Sequence, residues 1–371
     1  MSAVDVRVVR TAGDRRRFIA LPYRLHRADP CWTPPLRRDV TKALSPRTNP
    51  FFEHGEAEFY LAERDGRVVG RIAAIANRAH NEFHADRVGF FGFFECEDDE
   101  EAAGALLDRS SAWLRERGFE QARGPASFST NDECGVVVHG FEFPGTVLTP
   151  HNPRYYPTLL ESQGFAKAKD LFFLERACEE LPERLQRGAE LAARRNKVSL
   201  RKIDMSRYDE EIEHVKRLYN DAWDRNWGFV PMTESELDHL GRELKPIVVP
   251  EYVVFVEREG EVVGFAVALP DLNVALRANP SGRLLPGLLK ILWAARKIDR
   301  VRIVLLGLPP RFRGKGIDAM LIQWIWQRAR EKGVAWGEGG WILEDNAPML
   351  NALTRVGFEH YRTLRMYERA L

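Results

Sequence analysis

The sequence predicts an α+β protein built from two tandem domains of like fold, each a mixed central β-sheet flanked by helices, over about 1–176 and 177–371. The phrase Glu63-Arg-Asp-Gly-Arg-Val-Val-Gly70 recurs as Glu257-Arg-Glu-Gly-Glu-Val-Val-Gly264, an offset of 194 (63 to 257). The same offset relates Asn152 to Asn346, and an offset of 193 (164 to 357) relates Gly164-Phe165 to Gly357-Phe358. The opening segment Val6–Val9 also stands opposite Leu200–Ile203. Landmarks repeating in one order mark an internal duplication, and 371 residues suit two domains of average size.

Each copy reads as strand, helices, hairpin, strand, helix, strand, helix, strand. The repeated phrase is itself a hairpin, because an acidic-Gly pair between β-branched runs turns the chain in two residues. In the second copy a charged amphipathic stretch, Leu181–Arg195, predicts a connecting helix. Apolar spacing predicts a helix over Ile212–Arg225. Thr233-Glu-Ser-Glu236 has the form of a capping box that opens another. Tyr252–Val256 and Val262–Leu269 form the hairpin, and Arg302–Leu306 a short buried strand. A helix over Asp318–Lys332 ends at Gly333. A strand at Trp341–Leu343, a helix at Pro348–Arg355 and a strand at Leu364–Tyr367 close the copy.

Composition bounds the function. Hydrophobic content of 44% and charged content of 29% describe a soluble globular chain. A formal net charge of +1 gives no broad electrostatic case for nucleic acid. Cys31, Cys96, Cys134 and Cys178 form no CxxC pair, so free thiols in a reducing compartment are expected, with no metal site. The N-terminus shows no apolar signal-peptide core, and no apolar run is long enough for a membrane span. A cytoplasmic protein is expected, with contact to the inner face of a membrane as an open possibility.

The sharpest local signal is Leu308-Pro-Pro-Arg311-Phe312-Arg313-Gly314-Lys315-Gly316-Ile317, between an apolar strand and a helix carrying Met320, Leu321, Trp324 and Ile325 at core spacing. A strand, a Gly-spaced basic loop and a helix present consecutive backbone N–H groups to a phosphate. Arg311, Arg313 and Lys315 add charge for a pyrophosphate. The plain alternative is a surface turn with solvated charges. A Walker A loop is excluded, because Lys315 is followed by Gly316 and not by Ser or Thr.

Arg311-x-x-Gly314-x-Gly316 resembles the pyrophosphate loop of the GNAT (GCN5-related) N-acyltransferases, and Asn346 followed by Gly357-Phe358 resembles that superfamily's next element. The resemblance covers nearly all of the second copy. It implies acyl-CoA as cofactor, held by Leu308, Arg311, Arg313, Gly314, Lys315, Gly316 and Ile317. The first copy departs at this loop. After its fourth strand, Phe90–Phe94, comes Glu95-Cys-Glu-Asp-Asp-Glu-Glu101, whose six acidic residues would repel a pyrophosphate. Only the second copy is therefore expected to bind CoA. A closer resemblance, carried by Asn49–His54, Gly124–Gly135, Asn152–Tyr156, Asn226–Pro231 and Glu344–Asn346, is to the YghO-like family, which includes proteins proposed as bacterial ceramide synthases.

The implied reaction is attack of an amine on a thioester, and a general base assists because a free amine is mostly protonated at neutral pH. Glu344, Glu338 and Glu133 are candidate bases, with Asn346 beside them; Glu344 also reads as a strand-end carboxylate and Glu338 as a solvated loop residue. The backbone N–H near Leu308 is a candidate oxyanion donor. Many relatives carry a Tyr four residues before the Gly-Phe glycine to protonate the thiolate. Leu353 stands there, so Tyr156 and Tyr367 are candidate substitutes, with core packing as the alternative. Asn131, Asp132, Glu133, Asn152, Tyr155 and Trp227 are candidate acceptor contacts, and Trp223 and Phe229 candidate cleft walls. The apolar insert 284–297 could line an acyl channel, lie on a membrane or cover the sheet. Three functions follow: long-chain acyl transfer to a lipid amine such as a sphingoid base, acetyl transfer to a small molecule or peptide, and acyl-CoA binding without catalysis. Oligomeric state is left open.

Overall fold

A computed structural model describes residues 2–223 and 226–371. In chain order the elements are β1 (Asp5–Val8), α1 (Ala12–Leu25), α2 (Arg37–Ala43), β2 (Gly55–Arg64), β3 (Arg67–Asn77), α3 (Arg78–His84), β4 (Val88–Cys96), α4 (Glu100–Glu116), β5 (Gln121–Gly124), β6 (Val136–His139), α5 (Tyr156–Ser162) and β7 (Ala166–Ala177). They continue with α6 (Glu183–Asn196), β8 (Ser199–Lys202), α7 (Tyr208–Trp223), α8 (Glu234–Leu244), β9 (Val253–Arg258), β10 (Glu261–Pro270), α9 (Asn273–Leu276), α10 (Leu284–Ala295), β11 (Arg300–Gly307), α11 (Ile317–Glu331), β12 (Trp336–Leu343), α12 (Ala347–Arg355) and β13 (Glu359–Ala370). The last two positions of the helix expected over 212–225 lie outside the described residues.

The chain forms two compact units. One holds Met1–Leu171, Asn273–Arg296 and Arg362–Leu371; the other holds Phe172–Leu272 and Lys297–Tyr361. The boundary drawn at 176 from the sequence falls inside β7, and two later segments return to the first unit.

In the first unit β1, β2, β3 and β4 run antiparallel, β5 lies parallel to β4, and the end of β13 pairs with β5 from Tyr367↔Gly124 to Ala370↔Gln121. In the second unit β8, β9, β10 and β11 run antiparallel, β12 lies parallel to β11, and β7 follows β12 in the sheet order. Duplication reaches the side chains. Arg7 on β1 pairs with Glu63 on the hairpin and with Asp14; Arg201 on β8 pairs with Glu257 and Glu211, both at 2.6 Å. Both hairpins turn through two residues of positive φ, Asp65-Gly66 and Glu259-Gly260, the geometry that matches strand twist. The Thr233–Glu236 capping box is present, each side chain accepting the other's backbone N–H.

Asp170 on β7 is buried and receives two hydrogen bonds from Arg365, at 2.7 and 3.0 Å, with Lys167 at 2.9 Å. Burial pushes its carboxyl up, but the hydrogen bonds from Arg365 and Lys167 outweigh that and hold it below the ordinary carboxylate range. A carboxyl depressed in the folded state stabilises above its unfolded pKa of about 3.9, and that stability is lost as pH falls through the folded value. Asp170→Ala is expected to lower urea stability by about 1–3 kcal/mol at neutral pH, a partly exposed ion pair being worth less than a fully buried one. The deficit should shrink in acid; an equal deficit at both pH values would assign it to packing alone.

Candidate active site

The parallel pair β11 and β12 is in register from Arg300↔Trp336 to Ile303↔Gly339. On its other side β11 pairs Ile303 with Ala268 but Leu305 with Val267, so Val304 is an extra residue in the strand. Such a bulge bends and twists its strand. Beyond it Leu305–Gly307 stay with β10, and among the described residues the β11–β12 ladder has no further rung. The two strands part there, and the sequence-predicted loop follows at the end of β11.

Pro310–Phe312 make one tight turn, and α11 begins after Gly316. Gly316 has φ +79°, and a Cβ on it would stand 3.2 Å from the Ala192 Cβ of α6, so glycine alone fits. No side chain caps α11, which leaves the donors of its first turn for a ligand. Ile317 is fully buried and anchors the helix. Arg311 and Lys315 are exposed, each over the Phe312 ring. Arg313, also exposed, has a second use. Its Nε donates to the Leu308 carbonyl at 2.9 Å and its Nη2 to the Ala222 carbonyl at 2.7 Å, bracing the loop on α7. Leu308 is itself buried, and Asn196 of α6 donates to the Lys315 carbonyl at 3.1 Å.

The corresponding place in the first unit is filled. Ala126 donates to the Phe91 carbonyl at 2.8 Å, and its own oxygen lies where a Cβ on Gly92 would be. Asp99 caps α4, accepting from the Ala102 N–H at 3.0 Å. The acidic run is not a bare negative patch as its composition implied. Asp99 and Glu101 pair with Arg64, Glu97 pairs with Arg24 and Arg67, and Glu95 accepts from His26 at 2.7 Å and Tyr156 at 2.6 Å. The N-terminus of α4 is thus capped by the chain's own carboxylate, which takes up a donor that α11 leaves uncapped.

Glu338 does not lie in a solvated loop. It is on β12, 1% exposed, with Arg302 Nε at 3.2 Å from one carboxylate oxygen and the Tyr361 hydroxyl donating to the other at 2.5 Å. Arg302 also donates to the Gly340 carbonyl at 3.0 Å and lies over the Phe173 ring. This buried network sits at the last rungs before β11 and β12 part. Gly337 and Gly339 turn toward Trp326 and Leu353, so Glu338 points to the opposite face of the sheet, as alternation in a strand requires. Arg302 and Tyr361 were not singled out in the sequence. The available signal was an arginine opening an otherwise apolar strand.

On the face of β9–β11 that carries Val253, Val267 and Leu305, under α7 and α8, lies a small apolar cavity of about 50 Å³ that opens to solvent. Ile212, Val215 and Tyr219 of α7, Leu240 and Leu244 of α8, and Leu305 of β11 line it. Leu305 is the residue that follows the bulge.

The other sequence-predicted residues have varied settings. Glu344 follows β12 directly and is partly exposed. Asn346 caps α12, accepting from the Met349 N–H at 3.3 Å. Its counterpart Asn152 is buried and accepts from Val137 N–H at 2.7 Å, which makes it a brace for β6 and not a surface contact. Tyr156 is 1% exposed on Glu95, and Tyr367 is buried on Glu161 at 2.8 Å. Tyr155 is partly exposed and donates to the Cys96 carbonyl at 2.8 Å. Leu353 is buried in the core under α11. Asn131, Asp132 and Glu133 are exposed, in a loop where Ser129 Oγ donates to Asp132 at 3.0 Å and Phe128 takes φ +88°. A non-glycine in that region is strained, and such strain gathers at functional sites. Trp227 is partly exposed, Phe229 is buried, and Trp223 packs against Tyr219 and Phe265.

Comparison with known proteins agrees with this geometry. The family described as "Acetyltransferase (GNAT) family" matches residues 212–358. The chain is 40% identical to a bacterial ceramide synthase of Caulobacter vibrioides over 372 residues, covering 98% of this chain and 96% of that one. It is 32% identical to protein YghO of Escherichia coli over 375 residues, covering 99% and 95%. Among solved structures it is similar in fold to a tandem GNAT protein from the clavulanic acid biosynthesis pathway, at TM-score 0.57 and 12% identity over 99% of this chain and 98% of that one. A GCN5-related N-acetyltransferase from Sphaerobacter thermophilus matches at TM-score 0.53 and 12% identity, over 99% and 95%.

Proposed function

Because the chain belongs to the GNAT acyltransferase superfamily, in the family of the bacterial ceramide synthase and YghO, we propose that it transfers a long acyl group from acyl-CoA to a lipid amine such as a sphingoid base. The observation that carries the long-chain part is the apolar cavity under α7 and α8, lined by the residue next to the β11 bulge. An acetyl group would not reach that apolar lining, whereas each methylene of a longer chain buried against it would favour binding by about 0.8 kcal/mol. The name of the Caulobacter relative supports the same acceptor class.

The residues of the second unit fit the cofactor. Backbone N–H groups at Gly314–Ile317, with Arg311 and Lys315, would hold the pyrophosphate, while Arg313 and Leu308 shape the loop. Bound acyl-CoA supplies an activated acyl group as a thioester. With it bound, the amine nitrogen would bond to the acyl carbon as the carbon–sulfur bond broke. Glu338 would take the proton the amine sheds, Tyr361 would give a proton to the departing sulfur, and the proton on Glu338 would return to Tyr361 along their 2.5 Å hydrogen bond. Arg302 holds the Glu338 carboxylate in place. Tyr361 thereby takes the duty that Leu353 cannot perform. Asn131, Asp132 and Glu133, exposed beside a strained residue, are proposed acceptor contacts.

Calorimetry with acetyl-CoA and palmitoyl-CoA, on the native chain and on Gly316→Glu, tests the reading. Tighter binding of palmitoyl-CoA, lost in the variant, is expected. Equal binding of the two would remove the long-chain assignment, and binding that survives in Gly316→Glu would move the cofactor away from this loop.

A further inference from the structure

α10 is turned inside out. Its sequence, Leu284-Leu-Pro-Gly-Leu-Leu-Lys-Ile-Leu-Trp-Ala-Ala295, is the most apolar stretch of the chain to form a helix, so core packing is the ordinary expectation. Instead its small residues face inward. Gly287 lies against Asn279, where a Cβ would come within 2.4 Å, and Ala294 is buried one heptad further on. Leu285 and Leu289 are 76% and 78% exposed, Leu292 and Trp293 are 56% and 60% exposed, and Leu288 is exposed beside them. Large apolar side chains spaced along one helical face, open to water, mark a surface that another apolar phase covers. The reading of this segment as a cover for the sheet is therefore overturned.

The charges around the face select the phase. From 272 to 298 the chain has no acidic residue, and Arg283 precedes the helix, Lys290 flanks its leucines, and Arg296 and Lys297 follow it. Arg283, Lys290, Arg296 and Lys297 are all exposed. An apolar ridge with a tryptophan, on a segment that carries cations and no acidic residue of its own, complements the boundary between acyl chains and anionic head groups. Leu285 has non-helical backbone angles, φ −105° and ψ 125°, so the continuous helix begins after it and is about 15 Å long, too short to cross a hydrocarbon core of about 30 Å but suited to lying in its surface. No helix among the described residues is long and apolar enough to span a membrane.

We propose that α10 is a membrane-docking helix that inserts Leu285, Leu289, Leu292 and Trp293 into an anionic lipid surface, with Lys290, Arg296 and Lys297 on the head groups. Docking there goes beyond the transfer reaction and does not depend on which acyl chain is carried. It would let a lipid amine reach the enzyme without passing through water.

Flotation of the full chain with vesicles of phosphatidylcholine, with and without phosphatidylglycerol, tests this. Binding is expected to require phosphatidylglycerol and to weaken with salt. Leu289→Glu/Leu292→Glu should reduce it at least tenfold, and Lys290→Glu/Lys297→Glu about tenfold. Trp293 emission should shift to the blue on vesicle addition, a change absent from Trp293→Phe. Because these side chains are exposed, melting temperature and acyl-CoA affinity should stay unchanged. Vesicle binding that survives Leu289→Glu/Leu292→Glu, or no binding to either vesicle, overturns the proposal. A native dimer that Leu289→Glu/Leu292→Glu converts to monomer, without vesicle binding, would instead assign the face to a second copy of the chain.

Discussion

Leu305→Trp is expected to weaken palmitoyl-CoA binding by about 10²–10³-fold while leaving acetyl-CoA within about threefold of native. Leu305 lines the apolar cavity immediately after the β11 bulge, at the end nearest the parting of β11 and β12. An indole there would exclude the chain from the volume beyond. Displacing about four methylenes, at about 0.8 kcal/mol each, gives a loss of roughly 3 kcal/mol, or two to three decades in affinity. Leu240→Phe, on α8, narrows the cavity from the other side and should move the preferred acyl chain to a shorter one. Both variants add volume to a packed site, so a stability cost of about 1–3 kcal/mol is expected and is read separately by thermal melting. Calorimetry with a series of acyl lengths decides the matter. Equal losses for acetyl- and palmitoyl-CoA would mean that the substitution harms the loop and not a chain site. No loss for either would mean that the acyl chain lies elsewhere.

The duplication was legible in the sequence because hairpin turns and strand-opening charges are local signals: Glu63 and Glu257 hold the same place, and each pairs with an arginine on its own copy's first strand. The Gly-spaced basic loop between β11 and α11 was legible for the same reason. The buried network at Glu338 was not. Gly337, Gly339 and Gly340 around it look like a loop, but each is where a large side chain packs onto the strand: Trp326 at 2.4 Å, Leu353 at 3.1 Å and Phe173 at 2.7 Å from the position of a Cβ. Such glycines record close packing on both faces of β12 and not freedom of the backbone. The partners of Glu338 are remote in sequence, so spacing alone could not assemble them. Nor could hydropathy orient α10, because an apolar helix reads alike whether its small or its large residues face the protein. The return of β13 to the first unit was hidden too, since a repeat reveals matching segments without saying which unit a closing strand joins.

Replacing the proposed base should have the largest effect on turnover. Glu338→Gln is expected to lower kcat by about 10²–10⁴-fold and Tyr361→Phe by about 10²-fold, with acyl-CoA affinity close to native in both. Two effects must be separated. Glutamine leaves the Arg302 guanidinium buried without a counter-charge, and breaking one side of a fully buried pair costs about 3–5 kcal/mol. Arg302→Met/Glu338→Leu removes both charges and should recover most of that stability, as apolar replacement of buried pairs often does, but none of the turnover. If the double variant regains activity along with its melting temperature, the network is a structural pair and the base lies elsewhere. Glu344 is the nearest rival in sequence, partly exposed at the end of the same strand. Glu344→Gln should keep kcat within about threefold of native if Glu338 is the base, because its removal then touches no transferring proton. Steady-state kinetics on Glu338→Gln and Glu344→Gln side by side therefore distinguish the two carboxylates: collapse of turnover in Glu344→Gln with activity kept in Glu338→Gln would exchange their assignments and leave Arg302, Glu338 and Tyr361 as the brace that fixes where β11 and β12 part.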